Sequence, residues 1–424
     1  PSFKVKVPKP LETGRLPKGV EPTAYDLALE IDPAADTFSG EVKIQVSLAR
    51  PAGAIVLHAA DIKIKSASIL SGGRRIQADV LHRKAAGASK EAEELVLLAS
   101  EEVGSGEAVI QLAYSAPLTE QLRGIYKVKN EGESFVFTQF EPSDARRLLP
   151  CFDDPLYKVP FEVRVTVPKG NEVFGNAPRT NTTTKGDKVS YQFAKSKPMP
   201  SYLLALAIGP LEVRQGPTEP TSIRIIATKG KTKHGDYALK AAAEQLEILN
   251  RYFGIPYPYA KLDLVAVPNF SAGAMENVGL VTFREELLLV DEQASALQKR
   301  RVAAVMAHEL AHQWFGNLVT MPWWDDLWLN EGFATYFETV VLKEWSPEMR
   351  AGLELQSRSA HAMNIDSLKA ARAVRQPVAN TYEALEAFDG ITYLKGAAVI
   401  SMLEQWVGKE AFRRGVAQYM KDFS

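Results

Sequence analysis

Two histidines and a glutamate in the second half of the chain are spaced so that they can bind one metal ion. His308 and His312 are four residues apart, and residues at this spacing share one face of a helix, so both imidazoles can reach the same cation. Glu331 follows after 18 intervening residues and can supply a third ligand from another element. Two imidazoles and one carboxylate leave a fourth position for water, which is typical of a catalytic zinc site.

Glu309 lies between the two histidines and is free to act as a base. Bound zinc lowers the pKa of a water ligand to about 7 and polarises a carbonyl group. Glu309 would take the proton of this water and deliver it to the leaving amine. The pattern therefore predicts metal-assisted hydrolysis of an amide, in which a tyrosine hydroxyl is a suitable donor to the oxyanion.

Elements that can position these side chains are visible on both sides of the motif, although a five-residue match can also occur by chance. Residues 297–306 predict a helix, with Ser295 and Gln298 as its capping box. Gly316 predicts the end of this helix. Glu331 is expected to open a second helix over residues 331–345, packed beside the first.

The N-terminal half predicts strands. Short runs such as residues 25–31, 40–46 and 161–167 alternate apolar and polar side chains, the pattern of strands with one solvated face. Residues 1–214 are therefore expected to form an all-β, antiparallel domain.

The spacing of apolar residues changes in the C-terminal half, from strand-like alternation to a helical period. Residues 237–253 predict an amphipathic helix, and a buried strand at 262–267 and a Gly-rich segment at 271–279 follow. Residues 215–424 are expected to form an α+β domain with the metal site on its helices. The boundary is placed where Gly216, Pro217 and Pro220 cluster.

Composition narrows the class of protein. The 424 residues carry a formal net charge of −1, with 46% hydrophobic and 24% charged residues, so nothing favours nucleic acid as a partner. No apolar run is long enough to predict a membrane span. The single cysteine, Cys151, excludes an internal disulfide and is expected to be a buried thiol. A soluble protein is expected, with the cytoplasm favoured and a removed signal peptide as the alternative.

Further motifs carry a resemblance to a known family. The chain reads Gly-Ala-Met-Glu-Asn at 273–277, Tyr-Leu-Lys-Gly at 393–396 and Thr-Gln-Phe-Glu-Pro at 138–142. Together with the metal motif, and in the order in which they occur along the chain, they resemble the zinc aminopeptidases of the aminopeptidase N family from about residue 20 to the end. The resemblance implies a multidomain protein with a thermolysin-like catalytic domain, one Zn²⁺ per chain, and peptides with a free N-terminus as substrates.

The resemblance also implies roles for single residues. Glu276 and Glu141 would bind the α-amino group of the substrate, which a pair of carboxylates suits because the amine is cationic. Tyr393 would be the oxyanion donor. Gly273 and Ala274 would hold the substrate backbone as an added strand.

Other implied features lie outside the metal ligands. Gln139 would line the pocket for the first side chain. Asn330, Asp325 and Asp326 are candidates for orienting the ligands. Because members of the family continue into further helices, a C-terminal helical domain is expected to be absent from this chain. A monomer is favoured.

An exopeptidase is the favoured function, and three alternatives to it stay open. An exopeptidase is favoured over an endopeptidase, which would have no use for Glu276 and Glu141. A leukotriene-type epoxide hydrolase is the second alternative, and Ala274 argues against it because that branch usually has glycine there. A non-catalytic zinc-binding module is the third, and the intact Glu309 and Tyr393 argue against it.

Overall fold

The computed structural model describes residues 5–84, 92–369 and 371–424. The chain forms two compact units, one of Pro1–Pro210 with Ala379–Tyr382, and one of Leu211–Val378 with Glu383–Ser424. An all-β unit is followed by a unit with a sheet and helices, so the predicted fold class is confirmed. The domain limits at residues 214 and 215 stay a prediction.

Fourteen strands were assigned in the described part of the first unit: Val20–Glu30 (β1), Thr37–Leu48 (β2), Ala52–His58 (β3), Lys63–Ser71 (β4), Arg74–Lys84 (β5), Ala92–Val103 (β6), Gly106–Pro117 (β7), Gly124–Asn130 (β8), Glu133–Gln139 (β9), Phe161–Pro168 (β10), Glu172–Gly175 (β11), Arg179–Lys185 (β12), Lys188–Phe193 (β13) and Leu206–Gly209 (β14). Ten form a sheet in the order β12-β13-β10-β1-β2-β7-β4-β5-β6-β3, and four form a sheet in the order β11-β14-β9-β8. Buried and exposed side chains alternate along β2 and β10, as the sequence predicts.

Among the paired strands described in the first unit, only β1 and β10 run parallel, and the other pairs are antiparallel. These two strands run parallel, with Tyr25 opposite Phe161 and their rings stacked 4.6 Å apart. This pair is an exception to the antiparallel arrangement expected from the sequence. Alternation reports which face of a strand is buried and not the direction of its neighbour, so the sequence pattern could not reveal it.

Cys151 lies in the core of the first unit, as predicted, and its thiol is fully buried. Burial raises the pKa of this thiol well above its ordinary value, so it is not poised for nucleophilic chemistry. Nearby, the buried guanidinium of Arg146 pairs with Asp153 at 2.9 Å and with Glu93 at 2.8 Å. A buried, paired Arg146 has a structural role in this unit.

The sheet of the second unit has five strands: Leu211–Gln215 (β15), Ser222–Thr228 (β16), Lys261–Val267 (β17), Ala274–Met275 (β18) and Leu280–Arg284 (β19). Their order is β15-β16-β17-β19-β18. The three central strands are parallel, and β17 is buried along its whole length, as expected for a strand covered on both faces. The short strand β18 is antiparallel to β19 and forms one edge of the sheet.

The helices of the second half of the chain are Asp236–Phe253 (α1), Ala296–His312 (α2), Leu327–Trp345 (α3), Ala351–Asp366 (α4), Thr381–Glu386 (α5), Gly396–Val407 (α6) and Lys409–Phe423 (α7). A π-helical turn, Ile391–Lys395, leads into α6. The predicted amphipathic helix is confirmed as α1, and Gly254 ends it with a φ of 64°. No helix in the described ranges meets the length and hydropathy needed to cross a bilayer.

Aromatic side chains fill the space between α1, α2 and α3. Phe253 lies 5.1 Å from Trp314 and 4.8 Å from Phe337, and Phe315 stacks on Phe333 at 4.2 Å. Trp314 is fully buried and donates its indole N–H to a backbone carbonyl. This packing fixes the mutual position of the two helices that carry the metal motif.

Candidate metal centre and active site

The helix that carries both histidines begins as predicted. The Ser295 hydroxyl accepts from the backbone N–H of Gln298 at 3.2 Å, and the Gln298 side chain accepts from the backbone N–H of Ser295 at 3.0 Å. The capping box is therefore confirmed, and it fixes the start of α2.

The end of α2 differs from the prediction, which placed it at Gly316. The helix ends at His312, and Gly316 lies beyond it in the following turns with a φ of 119°. A Cβ at Gly316 would collide with the side-chain oxygen of Asn330. Glycine is therefore needed here to let Asn330 of α3 approach the backbone, and not to end the helix.

The second helix also begins earlier than predicted. It starts at Leu327, so Glu331 lies in its second turn instead of opening it. A 3₁₀ turn, Trp324–Asp326, leads directly into α3 and lengthens it at its N-terminus. Asn330 and Glu331 are both buried on this helix.

The three predicted metal ligands come together. Nε2 of His308 lies 3.0 Å from Nε2 of His312, and Oε2 of Glu331 lies 3.2 Å and 3.3 Å from these two atoms. Three ligands of a tetrahedral zinc ion at about 2.0–2.1 Å would lie about 3.3–3.4 Å apart. The separations and the donor types therefore fit a zinc ion.

The proton on His312 is placed by its neighbours. Its Nδ1 lies 2.7 Å from Oδ1 of Asn330 and 3.0 Å from the backbone oxygen of Phe315. Both neighbours are acceptors, so in the neutral ring Nδ1 carries the proton and Nε2 presents a lone pair. A hydrogen bond that fixes the tautomer in this way is typical of metal-binding histidines.

Charges around the ligands shift their ionisation. Burial alone raises the pKa of Glu331, but attraction to His312 and hydrogen bonds from both histidines outweigh it and lower that pKa. Burial alone lowers the pKa of His312, but Glu276 and Glu331 outweigh it and raise that pKa well above its ordinary value. The cluster concentrates negative charge where a cation would be held.

Glu309 lies buried beside this cluster. Its Oε2 makes no hydrogen bond within the described part of the chain, although buried carboxylate oxygens are normally paired. Burial raises the pKa of Glu309 well above its ordinary value. The carboxylates of Glu276 and Glu309 and a ring nitrogen of His312 lie within 4.8 Å of one another. Glu309 is therefore placed to exchange a proton with a molecule bound at the cluster.

Glu276 is held at three points, by α3 and by the segment that follows α2. Its backbone oxygen accepts from the side-chain amides of Gln313 at 3.0 Å and Asn317 at 2.8 Å. Its Oε1 accepts from Nδ2 of Asn330 at 3.2 Å and lies 3.7 Å from Nδ1 of His312. Asn330 thus connects the Glu276 carboxylate with a metal ligand.

Asn330 makes the contact expected of a residue that orients the ligands, but the other two candidates contact a different segment. Asp326 pairs with Arg375 at 2.7 Å, and Asp325 accepts from the backbone N–H of Val378 at 2.6 Å. These two carboxylates position residues 375–378.

Tyr393 lies in the π-helical turn before α6. Its ring is half-buried, 6.1 Å from the His308 ring and nearly parallel to it. The backbones of α3 and α6 cross closely at Gly332 and Gly396, where a Cβ on Gly332 would lie 3.1 Å from the Gly396 carbonyl carbon. This close crossing places the π-helical turn beside the metal helices.

Gly273 and Ala274 lie at the edge of the five-stranded sheet. Ala274 pairs with Phe283 of β19, and the backbone oxygen of Gly273 accepts from the N–H of Arg284 at 2.9 Å. Gln139 ends β9 of the first unit, and Glu141 follows two residues later. Both are half-buried in that unit, and their predicted roles stay predictions.

A buried carboxylate that the sequence analysis missed faces His308. Oε2 of Glu338 lies 4.0 Å from Nδ1 of His308, on the side of the ring away from the other ligands. Glu338 follows Glu331 by seven residues, which is two helical turns, so the two carboxylates lie on one face of α3. This spacing was the signal that could have revealed it.

Comparison with known proteins agrees with this geometry. Residues 237–424 match the peptidase family M1 domain, and residues 21–203 match the peptidase M1 N-terminal domain. The chain is 38% identical to "Aminopeptidase M1-D" of Oryza sativa subsp. japonica over 97% of its length and 47% of that protein. It is 38% identical to "Aminopeptidase M1" of Arabidopsis thaliana over 96% of its length and 47% of that protein. It is 37% identical to "Endoplasmic reticulum aminopeptidase 1" of Homo sapiens over 98% of its length and 45% of that protein. It spans less than half the length of these relatives, and it belongs to peptidase family M1.

Proposed function

We propose that this chain is the catalytic portion of a zinc-dependent aminopeptidase that hydrolyses the first peptide bond of a substrate with a free N-terminus. The observation that carries the proposal is the link from Glu276 through Asn330 to His312. It fixes a carboxylate suited to an amine at a short distance from the metal ligands. The relatives named aminopeptidase support the same activity.

His308, His312 and Glu331 would hold the zinc ion, one per chain. Bound there, zinc would act as a Lewis acid on the scissile carbonyl and lower the pKa of a water molecule to about 7. Because the lone pair of His312 already faces the cluster, this ligand needs no change of tautomer before it binds the metal.

Glu309 would be the general base. Its Oε2 has no partner among the described residues, so a water molecule can occupy that position and pass its proton to the carboxylate. Glu309 would then deliver the proton to the nitrogen of the leaving amine. Glu309 is adjacent to His308 in the sequence, so the proton transfer would take place at the C-terminal end of α2.

Glu276 and Glu141 would bind the α-amino group of the substrate. The backbone of Glu276 is hydrogen-bonded to the segment after α2 and its side chain to α3, so the amine would be held at a set distance from the reacting carbonyl. If the distance from the amine-binding carboxylates to the metal spans one residue, the enzyme removes single N-terminal residues, which is an exopeptidase reaction. An endopeptidase would gain nothing from this carboxylate.

The substrate backbone would add to the sheet at β18. Gly273 and Ala274 belong to the edge of the sheet, where an extended peptide can form main-chain hydrogen bonds. Gln139 would line the pocket for the first side chain. Tyr393 would donate its hydroxyl to the oxyanion, and its position beside His308 supports this role.

The test is hydrolysis of a leucine or alanine fluorogenic amide beside its N-acetylated counterpart, each with and without a zinc chelator. Cleavage of only the free-amine substrate, abolished by the chelator, is the expected result. Equal cleavage of both substrates would contradict the amine-binding role of Glu276. Cleavage that survives complete removal of zinc would contradict the metal mechanism.

A further inference from the structure

An alternating chain of charged side chains leads from the surface of the second unit to the metal centre. Arg300 of α2 pairs with Glu354 of α4, and Glu354 pairs with Arg358 one helical turn further on, at 2.6 Å. Arg358 then contacts Glu338 of α3 at 2.9 Å. Glu338 faces Nδ1 of His308.

The two ends of the Arg358 guanidinium have separate partners. One terminal nitrogen contacts both carboxylate oxygens of Glu338, at 2.9 Å and 3.1 Å, and the other contacts Glu354. Glu338 is largely buried, with 7% of its surface exposed. A buried carboxylate is costly without a partner, and among the described residues Arg358 is the only arginine or lysine paired with it.

The side of His308 that Glu338 faces follows from the metal geometry. Nε2 of His308 lies with the other two ligand atoms, so in the neutral, metal-binding ring Nδ1 carries the proton. The Glu338 carboxylate lies 4.0 Å from this nitrogen, and its negative charge attracts the proton there and so favours this tautomer.

We propose that Arg358 is a positioning residue for the metal centre, acting through Glu338 on His308. The inference rests on the proposed zinc site. Arg358 holds the Glu338 carboxylate in place, and Glu338 sets the tautomer and orientation of one metal ligand. Helix α4 therefore contributes to zinc affinity although it supplies none of the three ligands.

The experiment measures the zinc dissociation constant of the chain by competition with a chromogenic chelator. Arg358→Met and Glu338→Gln are each expected to weaken binding by about 10-fold or more, the usual range for partners that orient a ligand. Arg358→Lys keeps the charge and is expected to recover part of the loss. Because Arg358 acts through Glu338, the double variant should bind zinc no more weakly than Glu338→Gln alone.

Asp366→Asn is the matched control. Asp366 also lies on α4 and forms an ion pair with Lys395 at 2.5 Å, but it does not contact Glu338. The zinc affinity of Asp366→Asn is expected to equal that of the wild type. A general loosening of α4 would instead weaken zinc binding in Asp366→Asn and Arg358→Met alike. In the cobalt-substituted protein, the visible absorption bands should shift for Arg358→Met and not for Asp366→Asn.

Three results would overturn the inference: an unchanged zinc affinity in Arg358→Met, an equal loss in Asp366→Asn, or additive losses in the double variant. If Arg358→Met does not fold, Arg358→Lys and the double variant carry the test, since neither leaves the buried carboxylate without a cation. A wild-type chain that binds no zinc would instead overturn the proposed metal site itself.

Discussion

Substitution of Asn330 separates the two contacts that its side chain makes. Its Oδ1 accepts the His312 Nδ1 proton at 2.7 Å, and its Nδ2 donates to Glu276 at 3.2 Å. Asn330→Ala removes both contacts, whereas Asn330→Asp keeps the acceptor and removes only the donor. The pair of variants therefore distinguishes orientation of the metal ligand from positioning of the amine-binding carboxylate.

The size of the effect follows from what remains around His312. Loss of one partner of a buried hydrogen bond costs about 1–3 kcal/mol. The Phe315 backbone oxygen still accepts from Nδ1 at 3.0 Å, so the cost should fall in the lower part of this range. A loss of about 1–2 kcal/mol corresponds to zinc binding weakened by about 5- to 30-fold in Asn330→Ala.

Asn330→Asp should behave differently. It retains an oxygen opposite the His312 N–H, so its zinc affinity is expected to match or exceed that of the wild type. A second carboxylate beside Glu276 repels it from its present position, so KM for a free-amine substrate should rise.

Two measurements check this reasoning. Chelator competition gives the zinc dissociation constants, and steady-state hydrolysis at saturating zinc gives kcat and KM. The reasoning is refuted if Asn330→Ala binds zinc as tightly as the wild type. It is also refuted if Asn330→Asp loses zinc as readily as Asn330→Ala, because the retained acceptor would then have no effect.

Three further substitutions test other parts of the site. Glu309→Ala is expected to abolish turnover while one zinc per chain stays bound, and retained hydrolysis would remove Glu309 from the base role. Tyr393→Phe should lower kcat by about 10²–10³-fold with little change in KM, and an unchanged kcat would exclude its hydroxyl as an oxyanion donor. Gly316→Ala should lower the free energy of unfolding by at least about 1–3 kcal/mol, because the backbone at φ 119° is strained for alanine and Cβ collides with Asn330. Calorimetry of the zinc-free chain measures this, and a melting temperature equal to that of the wild type would contradict it.

Local rules were sufficient for much of the scaffold. The spacing of His308 and His312, the capping box at Ser295 and the amphipathic α1 each depend on residues a few positions apart, and all three are present in the structure. Alternation predicted the strands of the first unit for the same reason. These features need no knowledge of which elements pack together.

Tertiary contacts decided the features that the sequence did not reveal. Gly316 resembles a helix stop by local rules, but its conformation makes room for Asn330 on another helix. Glu338 shares a face with Glu331, but its pairing with Arg358 depends on the packing of α4 against α3. The parallel pairing of β1 with β10 joins strands more than a hundred residues apart. Each of these features depends on a contact between segments that are distant in the sequence.

In the proposed enzyme, Asn330 makes substrate selection and metal binding interdependent. The same amide fixes the tautomer of His312 and holds the carboxylate intended for the substrate amine. Gly316 is required to admit that amide, so a glycine in a turn, a metal ligand and an amine-binding residue form one connected unit. Tyr393 reaches the centre from a separate π-helical turn, beside His308. Substitutions that remove or displace the whole Asn330 amide, such as Asn330→Ala, should therefore change zinc affinity and KM together, whereas a change at Tyr393 should affect kcat alone.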